Sequence, residues 1–113
     1  MQAFDDDQAV TSRVRRQIMS GMNGQVPSMP DVARALGTSA RSLHRALEGE
    51  GTKFNAIVDD VRREFVERYL ARASLNIGEV SYLVGFSETS AFFKAFKRWT
   101  GMKPGQYRAA LAP

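Results

Sequence analysis

Apolar residues recur at three- and four-residue intervals along nearly the whole chain, and the strict alternation of a half-buried strand is absent. Val10, Val14 and Ile18 predict a first helix over about 7–20, with Asp5, Asp6 and Asp7 near its positive end. Gly21, Asn23, Gly24 and Pro27 make the first loop. Ser28, Pro30 and Asp31 then read as the capped start of a short second helix that stops at Gly37. Ser39 opens a third helix with Leu43, Ala46 and Leu47 inward, ended by Gly49 and Gly51. Thr52 caps a long fourth helix, of about twenty residues and roughly 30 Å, whose apolar stripe is Phe54, Ile57, Val58, Val61, Phe65, Tyr69 and Leu70. Asn76 and Glu79 form a capping box for a fifth helix that ends at Gly85. Ser87 caps a sixth running to Thr100, Gly101 stops it, and Pro104 opens a last short helix containing Tyr107 and Arg108. The expected fold class is all-α, with seven helices.

The pattern contains an internal repeat. VARALGTSARSLHRAL (32–47) and VSYLVGFSETSAFFKAF (80–96) share a short amphipathic stretch, a glycine, a serine and a second amphipathic stretch with cations on its outer face. Val32 and Val80, Gly37 and Gly85, and Ser39 and Ser87 stand at one constant offset. After the serine the second copy gains a residue, so that Leu43 matches Phe92, Arg45 matches Lys94 and Leu47 matches Phe96. A glycine turn between two short helices, the second showing a polar face, is how a helix-turn-helix reads in sequence. The chain accordingly divides into a linker or disordered tail (1–6), a first helix-turn-helix subdomain (7–51), a linking helix (52–73) and a second subdomain (74–113). The linking helix is long enough to match the spacing of successive major-groove faces on B-DNA.

Composition narrows the function classes. At 113 residues and 43% hydrophobic content the chain is one domain or two small lobes, not a disordered segment. No apolar run approaches the roughly 18 residues of a membrane span, and the acidic N-terminus does not read as a secretory signal. With no cysteine there is no disulfide framework, thiolate metal site or cysteine nucleophile, and an intracellular, cytoplasmic protein is expected. The net charge of +4 is compatible with a polyanion partner. Its distribution is more telling: residues 89–108 carry Lys94, Lys97, Arg98, Lys103 and Arg108 and no carboxylate. Solubility alone is the other reading of such a run.

The outer face of each second helix carries the candidate chemistry. Arg41, His44, Arg45 and Glu48 fall on one face opposite Leu43 and Leu47; Ser90, Phe93, Lys94 and Lys97, with Thr89 beside them, do so opposite Phe92 and Phe96. Arginine can donate two hydrogen bonds to guanine, hydroxyls can serve several bases, and an apolar group can meet the thymine methyl. Double-stranded DNA is therefore the expected partner, with Arg41, His44, Arg45, Thr89, Ser90, Phe93 and Lys94 as base-contacting residues. Ser39, Ser87, Lys97, Arg98, Tyr107 and Arg108 are the expected phosphate contacts, Tyr107 through the hydroxyl of a ring that, like Trp99, reads first as core packing. Phe93 has two readings, a ring tucked into the core edge or a ring against a thymine methyl. His44 is the only histidine, with no metal-ligand spacing around it, so no metal or cofactor is expected and no catalytic constellation is evident.

The string GFSETSAFFKAFKRWTGMKPGQYR (85–108) resembles the C-terminal hallmark of the AraC/XylS transcriptional regulators. The carrying residues are Gly85-Phe86, Phe92, Phe96-Lys97-Arg98, Gly101, Pro104 and Tyr107-Arg108, and the resemblance extends over roughly 28–108. It implies a bilobal seven-helix DNA-binding domain that places two recognition helices in adjacent major-groove segments. It also implies activation of transcription through RNA polymerase, and base-reading positions equivalent to those named above. Position 93 is more often small or polar in that family. Most members carry a further effector-binding or dimerisation domain, so the chain reads as the excised C-terminal part of a longer regulator, with a stand-alone activator as the alternative. A helical module docking on RNA polymerase without reading bases is the competing function. DNA-repair methyltransferases with a similar helical domain depend on reactive cysteines, which are lacking here.

Overall fold

The computed structural model describes residues 9–111. Seven helices occur among them: α1 (Val10–Gly21), α2 (Met29–Ala35), α3 (Ala40–Gly49), α4 (Phe54–Leu70), α5 (Ile77–Leu83), α6 (Thr89–Thr100) and α7 (Pro104–Leu111). They form two compact units. One comprises the described residues through Gly21 together with Val26–Val61; the other comprises Met22–Gln25 and the residues from Arg62 onward. The division falls within α4, so the helix that the sequence sets apart as a linker supplies its first half to one core and its second half to the other. The residues expected to form a tail, and the acidic Asp5, Asp6 and Asp7, lie outside the described residues.

In the first unit Val10, Val14 and Ile18 of α1 are buried as their spacing requires, and Val32, Ala33, Leu43, Leu47, Ile57, Val58 and Val61 are buried as well. The Asp31 amide donates to the Ser28 hydroxyl at 3.2 Å and the Ser42 amide to the Ser39 hydroxyl at 3.1 Å, which fixes where α2 and α3 begin. Between them Gly37 has φ +76° with open space where a Cβ would stand. Left-handed backbone, not crowding, requires glycine there. The start of α1 is held from a distance. The Val10 and Thr11 amides donate to the Glu50 carboxylate at 2.9 and 2.8 Å, so a residue just beyond α3 caps α1. Sequence patterning gave no sign of this cap, because its partner is forty positions away.

In the second unit Val66, Leu70, Val80, Val84, Phe92 and Phe96 form a closed core. Phe65, Tyr69, Leu75, Ile77, Phe86, Trp99 and Tyr107 pack against it. Its rings make edge and tilted contacts: Phe86 to Phe92 at 5.6 Å, Phe92 to Phe96 at 6.0 Å and Phe96 to Tyr107 at 5.3 Å. The Asn76–Glu79 capping box is complete, with both bonds at 2.8 Å. Gly85 (φ +85°) makes the turn after α5, and Gly101 closes α6 in left-handed conformation, its amide donating to the Lys97 carbonyl.

Three details depart from the sequence reading. Val66, absent from the expected stripe, is fully buried, while Phe65 is only half-buried. The cause is that α4 serves two cores, and Val66 lies one turn before Leu70 on the face that the second core uses. The helix also begins at Phe54 and not directly after Thr52; the Lys53 carbonyl accepts its first bond, from Ile57. Its 17 residues reach about 25 Å. Finally, Ser87 does not cap α6. Glu88 occupies the N-cap position without a side-chain cap bond. The residue inserted in the second repeat shifts the cap by one, so that Glu88 and not Ser87 stands where Ser39 stands in the first.

Two arginines satisfy helix C-termini in this unit. Arg62 donates to the Val84 and Gly85 carbonyls at 3.0 and 3.1 Å and lies 4.2 Å over the Phe86 ring. Arg108 donates to the Leu70 and Arg72 carbonyls at 2.9 and 3.1 Å.

Two stability tests follow from this geometry. The Thr11 hydroxyl, with the Thr11 and Val10 amides, holds the Glu50 carboxyl below its ordinary range. A carboxyl lowered on folding stabilises above its unfolded value, about 4.3, and loses that contribution as pH falls through the folded value. Glu50→Ala is therefore expected to cost about 1 kcal/mol at pH 7, a typical cap value, and the gap to the parent should narrow below pH 4 in denaturant titrations. Arg62→Ala, which strips two charged hydrogen bonds from partly buried carbonyls, is expected to cost about 2–3 kcal/mol, and urea unfolding measures it. Arg62→Lys should restore only part of that loss, because an ammonium does not reproduce the planar fork.

Candidate nucleic-acid interface

Burial of Leu43 and Leu47 fixes the rotation of α3 and leaves Arg41, His44, Arg45 and Glu48 exposed on the opposite face. The structure thus brings together the three residues expected to read bases from the first repeat. His44 Nε2 lies 3.3 Å from the Glu48 carboxylate, one turn along the helix. Arg41 and Arg45 form no ion pair or hydrogen bond among the described residues. Ser39 accepts the Ser42 amide through its hydroxyl oxygen and keeps its own proton to donate.

In α6, burial of Phe92, Ala95 and Phe96 turns Thr89, Ser90, Phe93, Lys94 and Lys97 to the surface. Phe93 is 41% exposed and shares a hollow of about 380 Å³ with Lys94, Lys97, Arg98 and Lys103. The ring meets Phe92 edge-on at 6.0 Å and leaves its other side toward the hollow, at the edge of the core. Ser90 and Glu88 approach at 3.5 Å between hydroxyl and carboxylate. Glu88 was missed in the sequence reading; the one-residue insertion in the second repeat was the available signal for its place at the helix start. Lys103 was missed as a site residue as well, although it belongs to the carboxylate-free stretch.

The remaining expected contacts separate. Ser87 is exposed beside the helix start, and Lys97 and Arg98 lie along the basic hollow. Tyr107 and Arg108 are half-buried. The Tyr107 ring packs edge-on against Phe96 at 5.3 Å, and burial together with the nearby Glu67 carboxylate raises its hydroxyl pKa. With the Arg108 guanidinium committed to the end of α4, both side chains already have structural partners.

Several cations outside these faces are paired with carboxylates. Arg34 pairs with Asp31 at 2.9 Å, Arg68 with Glu64 at 3.0 Å, Arg63 with Glu67 at 3.6 Å and Arg15 with Asp60 at 3.7 Å. Arg41, Arg45, Lys94, Lys97 and Lys103 have no such carboxylate among the described residues. A cation unmatched within the protein is available to a phosphate or a base edge. Among the described residues there is also no group of histidine and carboxylate side chains able to hold a metal ion, and no helix long and apolar enough to cross a membrane.

Comparison with known proteins agrees with this architecture. A helix-turn-helix domain family profile matches residues 32–110. The ornithine utilization regulator of Pseudomonas aeruginosa is 38% identical over 107 residues, which are 95% of this chain and 31% of the relative. The transcriptional activator NphR of a Rhodococcus species is 34% identical over 97 residues, covering 86% of this chain and 29% of the relative. The chain therefore spans about a third of the length of the curated relatives it matches. A crystal structure of a transcriptional regulator from Chromobacterium violaceum, described as AraC-type DNA-binding domain-containing, shares the fold with a TM-score of 0.83 at 21% identity. That match covers 94% of this chain and 95% of the other. Two glycine-turn helix pairs, the family match across both of them and the named relatives lead to one assignment: the chain belongs to the AraC-type helix-turn-helix family of sequence-specific DNA-binding transcription regulators.

Proposed function

We propose that α3 and α6 are recognition helices that enter the major groove of double-stranded DNA, and that one chain binds as a monomer to a non-palindromic site of about two helical turns. Arg41, His44 and Arg45 read bases in one part of the site. Thr89, Ser90, Phe93 and Lys94 read them in the other. Lys97 and Arg98 hold phosphates, joined by Lys103 and by the hydroxyls of Ser39 and Ser87. Tyr107 and Arg108 are left out of the contact set, because ring packing and backbone carbonyls already occupy them. The observation that carries this reading is the pair of exposed helix faces on which Arg41, Arg45, Lys94 and Lys97 have no carboxylate partner among the described residues. Since the two faces differ in every reading residue, they suit different base sequences. Activation through RNA polymerase, in the bacterial cytoplasm at the nucleoid, is the regulatory role that the family pattern supports. The printed name of the Rhodococcus relative adds to that support.

Selection of bound duplexes from a random pool, repeated at two salt concentrations, tests this reading. An asymmetric site bound by one chain is expected; a strictly palindromic site bound only by a dimer would overturn it, and so would the absence of any preferred sequence. Within the selected site, Arg45→Ala should relax the preference at one or two positions and cost about 1–3 kcal/mol there. Lys97→Ala should weaken all sequences alike and reduce the salt slope by about one unit. Uniform weakening by Arg45→Ala would remove it from the base-reading set.

A further inference from the structure

Phe93 stands apart from the other phenylalanines of its unit. Phe92 and Phe96 are fully buried, Phe86, Trp99 and Tyr107 are packed against them, and Phe93 is 41% exposed. It meets Phe92 edge-on, with ring centroids 6.0 Å apart, and its outer side faces the hollow lined by Lys94, Lys97, Arg98 and Lys103. Part of this apolar ring stays in water among four cations, so folding leaves apolar area that a partner can still cover. Its direction is not adjustable. Burial of Phe92 and Phe96 one turn apart sets the rotation of α6, which puts Phe93 on the face of Thr89, Ser90 and Lys94.

Resting on the DNA-reading role of α6, we propose that Phe93 is a specificity-determining residue that reads the 5-methyl group of one thymine in the major groove. Lys97, Arg98 and Lys103 suit phosphates and Lys94 a hydrogen-bonding base edge, which leaves the ring for an apolar one. Of the major-groove edges, only that of the A·T pair carries an apolar group, the thymine methyl; the others present hydrogen-bonding atoms that a phenyl ring cannot serve. Contact with that methyl withdraws apolar area from water on both sides. A hydroxyl or a small residue at position 93 would leave such a position unread or read it by hydrogen bonding. The choice of phenylalanine therefore favours thymine over the other bases there.

The test compares a duplex selected by the full chain with versions in which each thymine in turn is replaced by uracil, which lacks only the methyl group. The parent is expected to bind about fourfold more weakly to uracil at one position, the value of one methyl withdrawn from water. Phe93→Ser should bind the thymine and uracil versions equally while melting within about 3 °C of the parent. Phe93→Leu, which keeps an apolar contact, should retain the thymine preference. Equal binding of thymine and uracil at every position, with the selected sequence still preferred, would overturn the role of Phe93 and leave DNA reading by α6 intact. Loss of all sequence preference in the parent would overturn the DNA-reading role itself. A melting temperature for Phe93→Ser lower by more than about 10 °C, the scale of a buried phenylalanine truncation, would place the ring in the core and also overturn the proposal.

Discussion

Everything at the candidate interface depends on one packing constraint, the burial of an apolar pair one turn apart on the second helix of each repeat. Leu43 and Leu47 in α3, and Phe92 and Phe96 in α6, are essentially inaccessible to water. Burying each of these side chains is worth about 1.5–3 kcal/mol, so a pair leaves its helix a single rotation. The identity of the exposed face is then decided by helical geometry alone. Arg41, His44 and Arg45 have no other side of α3 to occupy, and the same holds for Ser90, Phe93 and Lys94 on α6. Core packing and recognition are thus one problem solved on two faces of the same helix.

Rotation is not enough unless the helix also begins and ends at a defined residue. In the first unit the Ser28 and Ser39 caps and the left-handed Gly37 set the turn with local groups only. The second unit adds longer reach. Arg62, from α4, satisfies the carbonyls of Val84 and Gly85 and covers the Phe86 ring, so the turn into α6 is tied to the helix that carries the core residues Val66 and Leu70. Arg108 does the same for the end of α4. The α6 start lacks a side-chain cap. The turn before it is the one that receives the arginine.

Most of this was legible in the sequence because it is written in local patterns. The burial of Val10, Val14 and Ile18, the Asn76–Glu79 box, the glycines at 37, 85 and 101 and the outward face of α6 all follow from neighbours within about four positions. What the sequence concealed is non-local. Glu50 capping α1 and Arg62 capping the turn after α5 join residues far apart in the chain, and no periodicity announces them. Val66 was overlooked because a single stripe was drawn through a helix that faces two cores. Ser87 was taken as the cap by matching serine to serine across the repeat, whereas the inserted residue hands that position to Glu88. Site residues were legible to the extent that exposure and charge define them, and so was the core packing of the Tyr107 ring; the engagement of Arg108 with distant backbone carbonyls was not.

The electrostatics of the chain carries the same lesson about placement. A net charge of +4, from 16 basic and 12 acidic residues, describes many proteins with no polyanion to bind. The sorting of those charges is what bears on function. Arg34, Arg63 and Arg68 face carboxylates within their own helices, and Arg62 and Arg108 give their donors to backbone carbonyls. Exposed pairs of the first kind add little to stability, but they remove cations from the pool able to attract an anion. Arg41 and Arg45 on α3 and Lys94, Lys97 and Lys103 in and beyond α6 have no carboxylate partner among the described residues. The outer faces of α3 and α6 thus keep cations with no carboxylate partner among the described residues, as Lys53 and Arg72 do outside them. A uniformly basic surface would hold DNA in any orientation. On the proposed reading, charge at the faces that also carry serine, threonine, histidine and phenylalanine would bring the backbone of the duplex to the side chains able to read its bases.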